Sequence, residues 1–290
     1  MSNTILEVNN ITKIYPTFKL DDVSFTASEG RIVGFIGRNG AGKTTTMKAI
    51  YGLLELDSGS IIFDGKTVKK DEQSIKNEIG LLFGGIDYYP NQKIKVLTSV
   101  TKRFYENWDE ELYRKWLKYF ELDEEKKIKE LSNGMKVKYG LAVALSHGAK
   151  LLILDEPTSG LDPVSRDEVL DCFMKIAKNK GATILFSTHV ISDLEKCADD
   201  IVYIQKGKIV KACSSREFKE GYLKIEGDPT KLSPLEKDKI GHYREHDGKF
   251  SGTIPSEYKT TFEGFTLSES SLEDIMLYIE RGVEDEESPF

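Results

Sequence analysis

Gly37-Arg38-Asn39-Gly40-Ala41-Gly42-Lys43-Thr44 sets three glycines ahead of a lysine and a threonine, directly after the apolar run Ile32–Ile36. Glycine serves where a backbone must turn tightly and come close to an anion, which Gly37, Gly40 and Gly42 allow. The residues from Thr44 to Tyr51 are helix-compatible. Backbone amides from Gly40 to Thr45 would then point outward at a helix start, where the peptide dipoles favour negative charge. Lys43 can reach outer phosphates, and the Thr44 hydroxyl can bind Mg²⁺. Strand, glycine loop and helix in this order predict a nucleotide phosphate loop whose contacts are Gly37, Asn39, Gly40, Ala41, Gly42, Lys43, Thr44 and Thr45. They also predict an α/β fold.

A second segment agrees. Leu151-Leu152-Ile153-Leu154 reads as a buried strand that ends in Asp155 and Glu156. In open α/β sheets ligands sit at the carboxyl edge of the strands, where this pair emerges. Asp155 is expected to hold Mg²⁺, through water because that ion keeps much of its hydration shell. Glu156 is expected to polarise the attacking water.

Around these segments the pattern alternates. Ile5 to about Ser28 reads as two or three antiparallel strands broken at Pro16 and Asp21-Asp22. Arg31–Ile36, Ser60–Phe63 and Thr183–Ser187 read as strands, with an Asp64-Gly65 hairpin turn. Helices are expected over Thr44–Tyr51, up to Ser146, and over Pro163–Lys178, so the core sheet should be mainly parallel. Between Thr98 and Glu130 the pattern is helical: Leu112, Trp116 and Phe120 recur every four residues, and Asp109 can cap the start. The expected organisation is a nucleotide-binding domain over 1–213, with a helical subdomain at about 84–148 and an antiparallel β subdomain. A small α+β appendage should cover 214–290. In it Ser270-Ser271-Leu272-Glu273 reads as a capping box, and Leu272, Ile275, Met276 and Ile279 as one helical face. The acidic end, Glu284 to Glu287, reads as a solvated tail.

Composition excludes some classes. The 290 residues carry a net charge of -7, which argues against a nucleic-acid partner. Cys172, Cys197 and Cys213 match neither a metal motif nor a disulfide framework and read as reduced thiols. Met1-Ser2-Asn3-Thr4 lacks a signal-peptide pattern, and no apolar run approaches the ~18 residues of a membrane span. Any path across a membrane would have to come from another chain.

Taken together, the chain resembles the nucleotide-binding subunit of an ATP-binding-cassette (ABC) transporter over about residues 4–213. Five elements occur in the family's order. Besides the two above, Ser132-Asn133-Gly134-Met135 stands at the family's Leu-Ser-Gly-Gly-Gln signature, Ser159-Gly160-Leu161-Asp162 at the loop after the acidic strand, and His189 at the switch histidine. Tyr15 stands where the family stacks an aromatic ring on adenine. The resemblance implies an ATPase that closes as a head-to-tail dimer, with a second copy or a related ATPase, around two ATPs. Ser132, Asn133, Gly134 and Asp162 would contact the nucleotide held by the other subunit, and His189 would bond the γ-phosphate in cis. There are two departures. Asn133 and Met135 replace glycine and glutamine in the signature, with Ser132 and Gly134 retained. Gly84 replaces the glutamine that touches Mg²⁺ and senses the membrane partner, so the metal should have one protein ligand fewer, and coupling should run through backbone or through neighbours such as Asp87 or Tyr88.

The runs Leu131–Lys138 and Phe104–Asp109 further resemble a bacterial exporter subgroup that includes ATPases of phenol-soluble-modulin and antimicrobial-peptide exporters. That implies an integral membrane (permease) subunit as partner, docking in a groove formed by Gly84–Lys102 and the following helices with Tyr88, Tyr89 and Trp108 as anchors. It also implies a cytoplasmic position on the inner face of the membrane. Two other classes stay open. One is an ABC ATPase acting in assembly or repair without a membrane channel. The other is a module that binds ATP without hydrolysis, which Asp155, Glu156 and His189 disfavour.

Overall fold

Among the described residues the strands form three β-sheets. The computed structural model describes residues 3–68, 73–83 and 89–281. They fall into two compact units, Met1–Ala212 and Cys213–Phe290.

The first unit opens with β1 (Thr4–Tyr15) and β2 (Phe18–Ser28), a long antiparallel hairpin. Asp21-Asp22 does not break it, contrary to expectation. Asn10 and Asp22 both take left-handed backbone angles, the Asn10 amide donates to Asp22 Oδ1 at 2.8 Å, and the pairing register shifts beside them. An irregularity of this kind absorbs the polar residues without ending the ladder. The strands β4 (Ser58–Phe63) and β5 (Lys66–Thr67) complete a sheet of order β2-β1-β4-β5, with Asp64-Gly65 as the turn between them.

The second sheet carries the acidic strand. It comprises β3 (Ile32–Ile36), β6 (Ile79–Phe83), β7 (Leu151–Asp155), β8 (Thr183–Thr188), β9 (Asp200–Gln205) and β10 (Lys208–Ser214), in the order β10-β9-β3-β8-β7-β6. The pairs β3–β8, β3–β9, β7–β8 and β6–β7 are parallel. Register aligns Ile36 with Thr188 and Phe83 with Asp155, so these strands finish at one edge. Their residues are apolar almost throughout, as strands covered on both faces must be. The two sheets share one core in which the rings of Phe25 and Phe35 lie 5.5 Å apart.

Helices fill the crossovers. Lys43–Ile50 forms α1, Gln73–Lys76 the single turn α2, and Ile94–Thr101 α3, which starts four residues before the expected Thr98. In α4 (Glu110–Tyr119) Asp109 caps the first turn by accepting from the Leu112 amide at 2.8 Å. Its buried line is Tyr113, Leu117 and Phe120, however, while Leu112 and Trp116 flank it half-exposed. A stripe of residues four apart drifts around a helix of 3.6 residues per turn, and the shift by one residue reflects that. After α5 (Asn133–Ser146), α6 (Pro163–Lys180) is fully punctuated: Asp162 as N-cap, Pro163 at its first position and Gly181, left-handed, at its end. The short α7 (Ile191–Cys197) precedes β9. Cys172 and Cys197 are buried, and desolvation pushes both thiols up to about 12, so they stay protonated.

The second unit starts with α8 (Ser215–Glu220). It holds β11 (Tyr222–Gly227), β12 (Gly241–His246), β13 (Lys249–Pro255) and β14 (Thr266–Glu269), in the order β12-β13-β11-β14, with the short α9 (Pro234–Lys237) and then α10 (Leu272–Arg281). Ile225, Ile240, Phe250, Ile254 and Phe262 form its core. The cap of α10 sits one residue later than the expected box: Asp274 N donates to Ser271 Oγ at 3.1 Å and that hydroxyl donates to Asp274 Oδ2 at 2.7 Å, while Ser270 is buried.

Phe35→Ala should lower the unfolding free energy of the first unit by about 3–5 kcal/mol, the usual cost of emptying a buried phenylalanine site. Chemical denaturation followed by far-UV circular dichroism checks this.

Candidate active site

Three strand ends meet at the edge of the second sheet. The loop after β3 is Gly37–Gly42, and α1 begins at Lys43 with Gly42 as its N-cap in a left-handed conformation. No side chain fits at Gly37, because a Cβ there would stand 2.2 Å from the Ile204 carbonyl of β9. The loop is thus pressed onto the sheet, and its amides are left at the mouth of the helix. Lys43 folds back over it: Nζ donates to the Gly37 carbonyl at 2.6 Å and to Arg38 at 3.3 Å, and lies 4.0 Å from Glu156 Oε1. The lysine is buried, which pulls its pKa below the ordinary value, while Glu156 and Asp155 pull the other way.

The acidic pair occupies the end of β7. Thr44 Oγ1 donates to Asp155 Oδ2 at 2.7 Å, and Ser187 Oγ donates to Asp155 Oδ1 at 2.6 Å. Both carboxylate oxygens of Asp155 are therefore held. The same Ser187 hydroxyl accepts from the Glu156 amide at 2.9 Å. Glu156 has φ +52°, in the left-handed region that a glutamate adopts only when its surroundings impose it. That turn directs its carboxylate to His189, whose Nδ1 donates to Oε2 at 2.6 Å.

A cavity of about 480 Å³ opens over these groups, lined by Asn39, Gly40, Gly42, Lys43, Thr44, Thr45, Asp155 and Glu156 together with Thr17 and Phe18. Residues far apart in the chain are thus brought together: a basic anion cradle on one wall, two carboxylates on the other. Ser187, Thr17 and Phe18 escaped the sequence reading. Ser187 looked like one more polar residue ending a strand, and only the pairing of β7 with β8 reveals its position. Tyr15 ends β1 partly exposed, outside the cavity lining, with its ring centroid 6.4 Å from that of Phe18.

Ser132, Asn133, Gly134 and Asp162 are also outside that lining. Ser132 caps α5, accepting from Met135 N at 3.2 Å, and Gly134 has Ser165 against the place where a Cβ would stand, 3.2 Å away. Asp162 accepts from the amides of Val164 and Ser165 at 3.0 Å each. Hydrogen bonds from Ser165 and Val164 hold its carboxyl below the usual range. Near Gly160 the Asn133 amide nitrogen lies 3.5 Å from a built Cβ, so the α5 start and the loop before α6 adjoin. Gly84, Asp87 and Tyr88 lie outside the described residues.

A second cavity of about 240 Å³ lies between β6, α3 and α5, lined among others by Leu81, Leu82, Tyr89, Leu97, Tyr139 and His147. Tyr89 is largely exposed. Trp108 is not part of this lining; it packs on Tyr113 and donates to Glu110 at 3.1 Å.

Residues 20–159 match the family model of the ABC transporter. An uncharacterised ABC transporter ATP-binding protein of Bacillus subtilis, YhcH, is 37% identical, with 71% of this chain and 69% of that protein covered. The chain belongs to the ABC transporter ATP-binding proteins. The bacitracin transport ATP-binding protein BcrA of Bacillus licheniformis is 34% identical over 72% of this chain and 69% of its own length. The lantibiotic transport ATP-binding protein SrtF of Streptococcus pyogenes is 35% identical over 71% and 89%. A solved ATP-binding subunit of an ABC transporter superposes with a TM-score of 0.66 at 28% identity, covering 74% of this chain and 92% of that one. The fold is that of an ABC ATPase cassette, and the chain is the ATP-binding, ATP-hydrolysing subunit of a transporter. No helix among the described residues is long and apolar enough to cross a membrane.

Ser187→Ala would leave Asp155 Oδ1 and the Glu156 amide without their shared partner. The protein should lose about 1–2 kcal/mol, since the orphaned groups are only partly buried. A lower midpoint in denaturant at unchanged slope is the expected reading.

Proposed function

We propose that this subunit drives the export of amphipathic or antimicrobial peptides or drugs by closing head to tail with a second copy or a related ATPase around two ATPs. The observation that carries the hydrolytic part is the contact of Glu156 with His189 opposite Lys43, across a cavity floored by the glycine loop. The cargo class rests on the bacitracin and lantibiotic transport relatives.

In this reading the loop amides and Lys43 hold the β- and γ-phosphates, with Asn39, Gly40, Gly42 and Thr45 around them, and Tyr15 stacks on the base. Glu156 takes the proton of the attacking water, and His189 orients Glu156 and bonds the γ-phosphate. The hydrogen bond between His189 Nδ1 and Glu156 Oε2 supports this pairing. Thr44 and Asp155 present two hard oxygen donors side by side, the ligand type that Mg²⁺ selects, and would hold the ion with water and phosphate oxygens completing its shell. The ion supplies neutralisation of developing phosphate charge. Ser132 with the start of α5, Asn133, Gly134 and Asp162 meet the partner's nucleotide, which accords with their position outside this subunit's own cavity. The smaller cavity beside Tyr89, apolar and open, supports docking of a permease subunit there.

Glu156→Gln should bind ATP and sediment as a dimer with Mg²⁺ and nucleotide, while steady-state hydrolysis falls by about 10²- to 10⁴-fold; wild-type turnover would remove Glu156 from its role. Lys43→Ala should weaken ATP binding itself in equilibrium titration. Affinity capture from detergent-solubilised membranes should recover an integral membrane subunit. Recovery of soluble partners alone would favour an assembly or repair ATPase instead.

A further inference from the structure

One buried carboxylate lies behind the site and outside the cavity lining. Asp193, on α7, is fully buried. Its Oδ2 accepts from Thr158 Oγ1 at 2.6 Å and from Thr188 Oγ1 at 3.3 Å, and both threonines are themselves buried. Thr158 lies two residues after Glu156, and Thr188 immediately precedes His189. Thr188 Oγ1 also accepts from the Val190 amide at 2.9 Å, so it fixes the backbone on the far side of His189 too. On the other side, Asp193 Oδ1 faces Arg166 Nε of α6 at 3.8 Å, beyond hydrogen-bond reach, and neither atom has another hydrogen-bond partner.

Burying a carboxylate among apolar neighbours is costly unless its hydrogen bonds do something that an apolar side chain could not. Here they join the two segments that leave β7 and β8 beyond the last paired residues of that ladder. Glu156 is in a left-handed conformation, which persists only where several contacts over-determine it. Ser187 holds its amide from one side. Two residues on, Asp193 holds Thr158 from the other.

We infer that Asp193 is a positioning residue for hydrolysis: through Thr158 and Thr188 it locks the turn bearing Glu156 against the segment bearing His189, with Arg166 as its counter-charge. This rests on the role proposed above for Glu156. Asp193 is fully buried outside the cavity lining and acts only through the geometry of the two residues in front of it.

The test is ATP turnover by the full chain carrying Thr158→Val, which keeps the shape and deletes the hydroxyl, beside Thr158→Ser, which restores it. Thr158→Val should lower kcat by about 10- to 100-fold with KM for ATP within about twofold, because misplacing a reacting group by a fraction of an ångström costs rate rather than binding. Thr158→Ser should recover most of that loss. Thr188→Val, on the opposite segment, should show the same split. In a Glu156→Gln background Thr158→Val should cause no further loss, since the group it positions is already disabled. Wild-type kcat in both valine variants, or KM rising in step with the loss of kcat, or no recovery by serine, overturns the inference. Glu156→Gln turning over at the wild-type rate would instead overturn the reading of Glu156 and this inference with it. An inert Glu156→Gln beside fully active valine variants leaves that reading standing and removes Asp193 alone.

Discussion

The parallel register of β3, β8 and β7 is the constraint on which everything else depends. It stops three strands at one edge, so that a glycine loop, an acidic pair and a histidine emerge within reach of one another. The edge is then stitched by one hydroxyl: Ser187 serves Asp155 with its proton and the Glu156 amide with its lone pair. Without the register the serine could not span the two strands, and without the serine Asp155 would keep only its bond to Thr44 while the Glu156 amide would lose its acceptor.

The charged side chains of the site are hydrogen-bonded to the loop and to one another. Lys43 is buried, yet its ammonium is satisfied by the loop's own carbonyls and faces Glu156 at 4.0 Å. Thr44 is bonded to Asp155. A triphosphate would take over the Lys43 ammonium from the loop carbonyls and bring negative charge of its own, which the loop amides, Lys43 and a bound cation would offset. The preorganised carboxylates need little rearrangement at the moment of reaction.

Much of this was legible in the chain. The glycine loop and the acidic strand declare themselves through residue type and local pattern. So does the cap at Asp109, because capping is a property of a few adjacent residues. What escaped was long-range. Ser187, Phe18 and Asp193 matter through neighbours some 30 or more residues away or through the curl of a hairpin, and no local pattern marks them. The Asp21-Asp22 pair suggested a break because sequence reading has no access to Asn10, whose amide restrains Asp22 across the ladder. The α4 face was read one residue off, since the identity of the packing partner decides between two adjacent stripes. In the second unit the strands are short and half-buried, so their alternation is too faint to separate from loop.

The left-handed backbone at Glu156 sets durability against turnover. A glycine there would relieve conformational tension worth about 1 kcal/mol or more, yet it would delete the carboxylate that the tension exists to aim. Any laboratory search that rewards heat tolerance alone would be drawn to that position, and what it enriched would be a sturdier cassette with its engine removed.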